Sequence, residues 1–487
     1  MSAPSRIICS ALVFGGLLGG CASTSADGSF QEVASAVEVR TGNKIYWNQG
    51  TEQDTKVAAA VRAMLRKELT LPNAVQIALI NNRMLQAEYE ELSIAQADLV
   101  QAGLLANPTF SGSLKFPTSG GDPPDIGLGV ELDFLGLLFI PARKQLAGAQ
   151  LEQVKWRLGD AVLAHAAEVR ATYYRLQGAQ QSVAMLRVIT GAAQTAADLA
   201  ARQNDAGNIS DLDRANEETL YEQARLDLAS AEAEILEHRE ELNRLMGVWG
   251  NDTGWKVPDK LPEIPAGDPS LDQLESLAMT QRLDVAAARQ ELQVASTASS
   301  LAGSSRVFGM LDVGVEAERE GEDGWEVGPS AKLTLPIFDQ GQGMVARAEA
   351  QLRQSHHRLA GLAVNVRAEV RAARNRLVAA RSVAHHYRTV LIPLRERVVA
   401  LSQEQYDAML IGVYQLLQVK QNEIETYRQY IGAVRDYWIA RSNLERAVGG
   451  RLKAAPAPRK TQQSAATPPA QAPAGSPAAA PPPHHQH

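Results

Sequence analysis

The sequence predicts a mainly α-helical chain, built from long coiled-coil helices, that contributes four strands to a membrane β-barrel. Three observations predict it. Two very long segments place apolar residues every seven positions, four short segments alternate strictly between apolar and polar, and the whole arrangement occurs twice. Composition agrees with this. Of 487 residues, 45% are hydrophobic and 21% charged but only 5% aromatic, which suits extended helices rather than a compact α/β enzyme. A formal net charge of -7 argues against nucleic acid as a partner.

Residues 1–20 read as a secretory signal, with Arg6 preceding an apolar run from Ile7 to Leu18. That run is too short to span a hydrocarbon core, which needs about 20 helical residues. It ends in Leu18-Gly19-Gly20-Cys21, which resembles a bacterial lipobox and implies cleavage before Cys21 and covalent lipid on that residue. Acyl chains partition at about 0.8 kcal/mol per buried CH₂, so several on one residue anchor firmly. Ala22 follows, where an Asp would imply retention at the inner membrane, so the outer membrane is favoured. An ordinary signal with a chance cysteine is the alternative. The chain has two cysteines and Cys9 leaves with the signal, so disulfides, cysteine-based zinc sites and thiol catalysis are excluded.

The duplication divides the remainder. Residues 21–69 form a lipid-anchored N-terminal segment, 70–250 a first repeat, 251–269 a Pro-rich connector, 270–450 a second repeat, and 451–487 a disordered Pro/Ala-rich tail. Leu71, Ala78, Ala87, Glu91 and Leu92 reappear as Leu271, Ala278, Ala287, Glu291 and Leu292. Gly207 through Leu212 parallels Gly412 through Leu417, and each repeat closes alike at Gly247 and Gly449. Each repeat reads as helix, strand pair, very long helix, tight turn, helix.

In the second long helix Leu352, Leu359, Val366, Ala373, Ala380, Tyr387, Leu394 and Leu401 form one seam, with Val370, Leu377, Ala384, Leu391 and Val398 in a companion stripe. Val162, Val169, Leu176 and Val183 repeat the pattern in the first. Residues 342–411 would span ~105 Å and 142–206 ~98 Å at 1.5 Å per residue, far beyond a bilayer, so they lie in water. Pro393 either bends the second helix or divides it in two.

The alternating segments are 110–116, 126–134, 311–318 and 325–335, each near the 9–11 residues of a membrane strand. Phe110, Phe116, Phe134, Phe139, Phe308 and Phe338 cluster in or beside them, as in an interfacial girdle. The alternative is a small soluble sheet with one buried face. Four strands cannot close a membrane barrel, and open edges are not tolerated in lipid, so spanning strands require oligomerisation as a dimer or a trimer.

Tandem repeats of this kind resemble the outer membrane efflux protein family, whose best-known member is the TolC channel. The phrases that carry the resemblance are Leu71-Pro72-Asn73-Ala74 through Asn82, Ala106-Asn107-Pro108, Leu335-Pro336-Ile337-Phe338-Asp339 with Gly341, and Tyr406 through Gly412 to Leu417. The resemblance covers roughly residues 70–450, and the lipobox points to its lipoprotein branch. It implies a homotrimer whose shared twelve-stranded barrel in outer membrane lipid continues into a periplasmic α-barrel. It also implies a periplasmic adaptor protein and an inner-membrane pump as partners, with drugs or heavy-metal ions as cargo. Competing classes are a periplasmic adaptor, which would carry one hairpin with compact β-domains, and a structural coiled-coil lipoprotein, which needs no alternating strands.

A duct needs no catalytic group, and neither a nucleotide-binding loop nor a strongly spaced metal-ligand cluster presents itself. No cofactor is expected beyond covalent lipid at Cys21. Function is expected where the α-barrel narrows, at the turns marked by Gly207 and Gly412, because a narrow ring multiplies each side chain by the protomer number. Gate candidates are Asp205, Asp211, Asp213 and Arg214 at the first turn, and Tyr406, Tyr414, Gln415 and Gln418 at the second. Asp211 and Asp213 equally suit a helix start, and the tyrosines equally suit packing. The resemblance implies acidic gate residues where this chain has Gln415 and Gln418. The pairs His356-His357 and His385-His386 are adjacent on helices and face different ways, so chelation within a pair is disfavoured.

Overall fold

The computed structural model describes residues 25–116, 118, 123–265, 267, 270–306, 311–320 and 323–452. The leader with Cys21, Phe308 and the tail with His484, His485 and His487 lie outside the described residues.

Two helices, α1 (Asp27–Thr41) and α2 (Glu52–Leu65), precede the repeats. Repeat one comprises α3 (Leu71–Asn81), α4 (Arg83–Gly103), β1 (Thr109–Lys115), β2 (Asp125–Asp133), the single turn α5 (Phe134–Leu138), α6 (Ile140–Asp205) and α7 (Asp211–Met246). Repeat two comprises α8 (Leu274–Gln281), α9 (Leu283–Ser305), β3 (Leu311–Arg319), β4 (Glu326–Leu333), α10 (Gln342–His386), α11 (Ile392–Asp407) and α12 (Val413–Val448). α6 runs unbroken for 66 residues, about 99 Å at 1.5 Å per residue. Among the described residues no helix is long and apolar enough to cross a membrane.

The strands make one antiparallel sheet in the order β1-β2-β3-β4. β2 and β3 join the two repeats, with Val130 opposite Val315 and Leu132 opposite Val313. Register and the two-residue period fix the faces. One carries Phe110, Leu114, Ile126, Leu128, Val130, Leu132, Val313, Val315, Val327 and Leu333; the other carries Ser111, Glu131, Glu316, Ser330 and Lys332. The apolar face is not covered by the protomer's own chain: Phe110 and Val327 are about 70% exposed. The outer edges of β1 and β4 have no partner strand within this sheet.

A common joint sets the angle between helices in both repeats. Asn82, in extended conformation, breaks α3 from α4; its Oδ1 accepts from the Met84 and Leu85 amides, and its Nδ2 donates to the Arg244 and Leu245 carbonyls at the end of α7. Arg282 takes the same place between α8 and α9, donating to the Ala447 carbonyl. The ends of α7 and α12 press on these breaks through Gly247 and Gly449, both left-handed. A Cβ on Gly247 would lie 2.8 Å from the Asn81 carbonyl oxygen, and one on Gly449 3.0 Å from the Arg282 Cα. Only glycine satisfies both that backbone conformation and that approach.

The main core surrounds the joint of repeat one, where Phe30 packs 5.4 Å from both Trp47 and Tyr89. Such aromatic pairs add about 0.5–1.5 kcal/mol each beyond area burial. The connector is stitched to the helices by its carbonyls: Gln177 donates to those of Pro258 and Lys260, Trp438 to that of Pro262 and Arg381 to that of Pro265.

The heptad seam of α6 is buried at Val162, Val169, Leu176 and Val183. That of α10 is buried at Val366, Val370, Ala373, Leu377 and Ala384, but below these it changes register. Residues 387–391 form a π turn, and Ile392 rather than Leu391 is the next buried position. A π turn inserts one residue into the helical ladder, which accounts for the one-residue slip. Pro393 follows directly on this π turn, where the Ile392 amide returns to the Tyr387 carbonyl and the loosened ladder accommodates the missing amide. The long helix therefore bends rather than breaks, and it ends at Asp407 rather than residue 411. Leu394 and Leu401, expected in the seam, are about half exposed on the protomer.

Candidate functional site

The two hairpin turns lie at the end of the long helices far from the sheet. The first is closed by its own side chains. Gly207 takes φ 75°, and the amides of Gly207 and Asn208 return to the Asn204 and Gln203 carbonyls. Ser210 and Asp213 form a reciprocal capping box, with Ser210 Oγ donating to Asp213 Oδ2 at 2.7 Å. Asn204 Nδ2 donates to Asp211 Oδ1 (3.0 Å), and Arg214 donates to Glu218 (2.8 Å) and Asp205 (3.4 Å). Asp211 and Asp213 are thus engaged at the start of α7, where the helix dipole favours negative charge.

The second turn has the same backbone and few of these ties. Met409 and Leu410 return their amides to the Tyr406 and Gln405 carbonyls, repeating the first turn residue for residue. The structure therefore pairs Gly207 with Met409 and Ser210 with Gly412, a spacing of 202. This corrects the pairing of Gly207 with Gly412 read from the sequence. Gly412 has φ -82° and caps α12 without a side chain, whereas Met409 carries the left-handed conformation at φ 61°. A non-glycine residue there costs about 1–2 kcal/mol. Met409 is 93% exposed, so no burial offsets the strain.

The corrected pairing also exposes a residue that sequence reasoning missed. Asp407 matches Asp205 as the last residue of its helix, and it accepts from Gln403 Nε2 at 2.9 Å. The shared Asp-Ala dipeptide at 205–206 and 407–408 was the available signal. Gln415 matches Asp213 and Gln418 matches Asn216, so the second turn carries its carboxylate before the turn rather than after it.

Tyr414 links the two hairpins: its Oη donates to Gln203 Oε1 at 2.7 Å. Burial and the nearby carboxylates of Glu217 and Asp213 push its phenol above the ordinary value. Tyr406 contributes its backbone carbonyl to the turn, and Gln418 makes only a 3.5 Å contact to Asn422 within its own helix. Higher on the second hairpin Tyr427 donates to Glu396 (2.6 Å), which pushes the phenol up to about 12. Glu217 is raised by burial. Among the described residues no group of three or more His, Cys, Asp and Glu side chains is placed to hold a metal ion.

The polar face of the sheet carries a marked charge excess. Asp125, Glu131, Asp133, Asp312, Glu316, Glu318 and Glu326 share it with Lys115 and Lys332, seven carboxylates against two lysines. Asp133 lies directly opposite Asp312, and Glu318 opposite Glu326. Like charges in such positions destabilise a sheet by up to about 1 kcal/mol per pair. Lys115 relieves one of them through a 3.4 Å ion pair with Glu318.

Comparison with known proteins agrees with this geometry. The profile of the outer membrane efflux protein family matches residues 74–248, the first repeat. The cobalt-zinc-cadmium resistance protein CzcC of Cupriavidus metallidurans is 24% identical over 78% of this chain and 90% of its own length. The CmeC outer membrane channel of Campylobacter jejuni superposes with a TM-score of 0.68 at 16% identity, over 79% of this chain and 86% of that one. A membrane protein of Pseudomonas aeruginosa superposes at 0.64 with 20% identity, over 78% and 93% respectively. With its duplicated hairpins and two-faced sheet, the chain resembles the outer membrane efflux protein family over its first repeat and shares the fold of these solved channels.

Proposed function

We propose that the protein is a lipid-anchored protomer of a trimeric outer-membrane duct, which receives divalent heavy-metal cations from an inner-membrane pump through a periplasmic adaptor. The observation that carries the reading is the sheet, apolar on one face and polar on the other, with both edges open above helices of about 99 Å. In lipid, unpaired edges are excluded, so β4 of one copy must pair with β1 of the next. Three copies of four strands close a barrel of twelve, an even number within the range of outer-membrane barrels. The half-exposed Leu394 and Leu401 and the exposed Leu212 and Leu226 then face neighbouring hairpins.

Two observations support a cationic cargo. The relative from Cupriavidus metallidurans is named for cobalt, zinc and cadmium resistance. The polar sheet face carries five more negative than positive groups per protomer, which a closed trimer would multiply around one lumen. Cys21 would add acyl chains on the inner leaflet side.

The test is fractionation with deletion. The full-length protein is expected in outer-membrane fractions as a heat-modifiable trimer, and a deletion strain is expected to lose tolerance to zinc, cobalt or cadmium salts. A protein that is soluble and monomeric once Cys21 is replaced would overturn the duct. Unchanged metal tolerance would overturn the cargo.

A further inference from the structure

We propose that each protomer carries a binding site for an anionic organic amphiphile at the base of the sheet, on its polar side. A cavity of about 500 Å³ lies there between the starts of α6 and α10 and the end of α9. This is within the 300–1,000 Å³ of ordinary small-molecule sites. Its walls are mostly apolar: Phe139, Leu146, Leu301 and Met344 line it together with Ala298 and Ala302. Asp133, whose side chain belongs to the polar face of β2, also lines it, which places the opening on that side.

The polar groups at the rim are not balanced. The Asp133 carboxylate is engaged, accepting from the Gly136 amide at 2.7 Å. Arg143 gives one N–H to the Gly136 carbonyl at 2.9 Å, leaving four of the five donors of a guanidinium. Arg347 lines the same cavity from α10 and is exposed. The basic character continues below. On the same face of α9, seven and eleven residues before Ala298 and Ala302, Glu291 is held between Arg157 (3.2 Å) and Arg358 (3.1 Å). Two guanidiniums facing one carboxylate leave that stretch with a positive surplus, opposite in sign to the sheet above it.

An apolar cleft with arginines at its rim selects a ligand with an apolar body and a carboxylate, sulfonate or phosphate head. The head gains charge-assisted, fork-shaped hydrogen bonds that a neutral analogue lacks. A hydrated divalent cation meets the single carboxylate of Asp133 there against the two guanidiniums of Arg143 and Arg347. Such a ligand would occupy the wall of the duct, so the inference rests on the channel reading for its place in the lumen but not for its binding.

The experiment uses the full-length protein in amphipol, with 1-anilinonaphthalene-8-sulfonate as probe and its uncharged relative N-phenyl-1-naphthylamine as control. Saturable, blue-shifted binding of one sulfonate probe per protomer is expected. Leu301→Trp, which fills the cavity, should abolish binding of both probes, with Ala298→Trp as the second filling variant should the first fail to assemble. The double variant Arg143→Gln/Arg347→Gln should weaken the sulfonate about tenfold and leave the neutral probe unchanged. Sulfonate binding that survives both filling variants, or that falls in parallel with the neutral probe in the arginine variant, would overturn the site. Conductance of the same preparation separates the two readings: a non-conducting trimer that binds as stated refutes the duct alone, and a conducting trimer that does not bind refutes the site alone.

Discussion

Tyr414, at the start of α12, donates its hydroxyl proton to Gln203 of α6 at 2.7 Å, and so ties the tip of the second hairpin to the end of the first. The first turn is knotted by Ser210, Asp213, Arg214 and Asn204, whereas the second rests on a bare Gly412 and a strained Met409. The two hairpins of one protomer therefore differ in how firmly their tips are held, and Tyr414 anchors the looser to the firmer.

Replacing Tyr414 by Phe removes one neutral hydrogen bond, about 0.5–1.5 kcal/mol. The melting temperature should change little, while the resting current of the purified protein in a planar bilayer should rise. An unchanged current would show that this contact does not hold the tip.

Glycine exchange at the turns should act in opposite directions. Gly207→Ala places a Cβ in a left-handed position and is expected to cost about 1 kcal/mol. Met409→Gly relieves the same strain but adds freedom to the unfolded chain, leaving a gain of at most about 1 kcal/mol. Thermal unfolding of the two variants side by side reads the sign of each.

Both turns also mark where sequence reasoning stopped. The alternation that defines the sheet and the seven-residue seams were legible because each is a periodic signal over many residues. The pairing of the turns is not legible, because a glycine marks each turn in the sequence but Met409, not Gly412, occupies the left-handed position of the second. The π turn was equally hidden: it shifts the seam by one residue from Leu391 to Ile392, and Pro393 signals a bend without its register. The cavity between Arg143 and Arg347 unites residues some 200 positions apart, which no local pattern brings together.

Arg282 anchors the joint of the second repeat. Its guanidinium is 6% exposed and reaches Asp284 and Glu369, each at 2.6 Å. Burial opposes its charge, but those carboxylates raise its pKa. Arg282→Met is expected to destabilise the fold by about 2 kcal/mol, because it leaves half-buried Asp284 without its cation. Burial would raise the Asp284 carboxyl, and the bond to Arg282 outweighs this, so its pKa lies below the ordinary value. Its contribution is then full above the unfolded carboxylate range near ~3.9 and is lost as pH falls through the lowered folded value. Nearby Asp160 runs the other way. Burial, opposed by Arg446, raises its pKa, so its share is present at low pH and fades as pH rises through that value. The gap between wild type and Arg282→Met should narrow in acid melts below about pH 4.

Adjacent residues of β3 should separate assembly from selectivity. Val315 faces the apolar side and Glu316 the polar side. Val315→Arg would cost about 2–4 kcal/mol near the bilayer midplane and should deplete trimers from the outer membrane. Glu316→Gln should leave assembly intact and alter only the passage of ions.

The most direct test of the duct is the reversal potential of the full-length trimer in a planar bilayer under a KCl gradient. The account predicts a conducting pore that prefers cations, with the preference reduced by Glu131→Gln and Glu316→Gln at the polar face. A trimer that carries no current, or one whose anion preference is untouched by those substitutions, would contradict it.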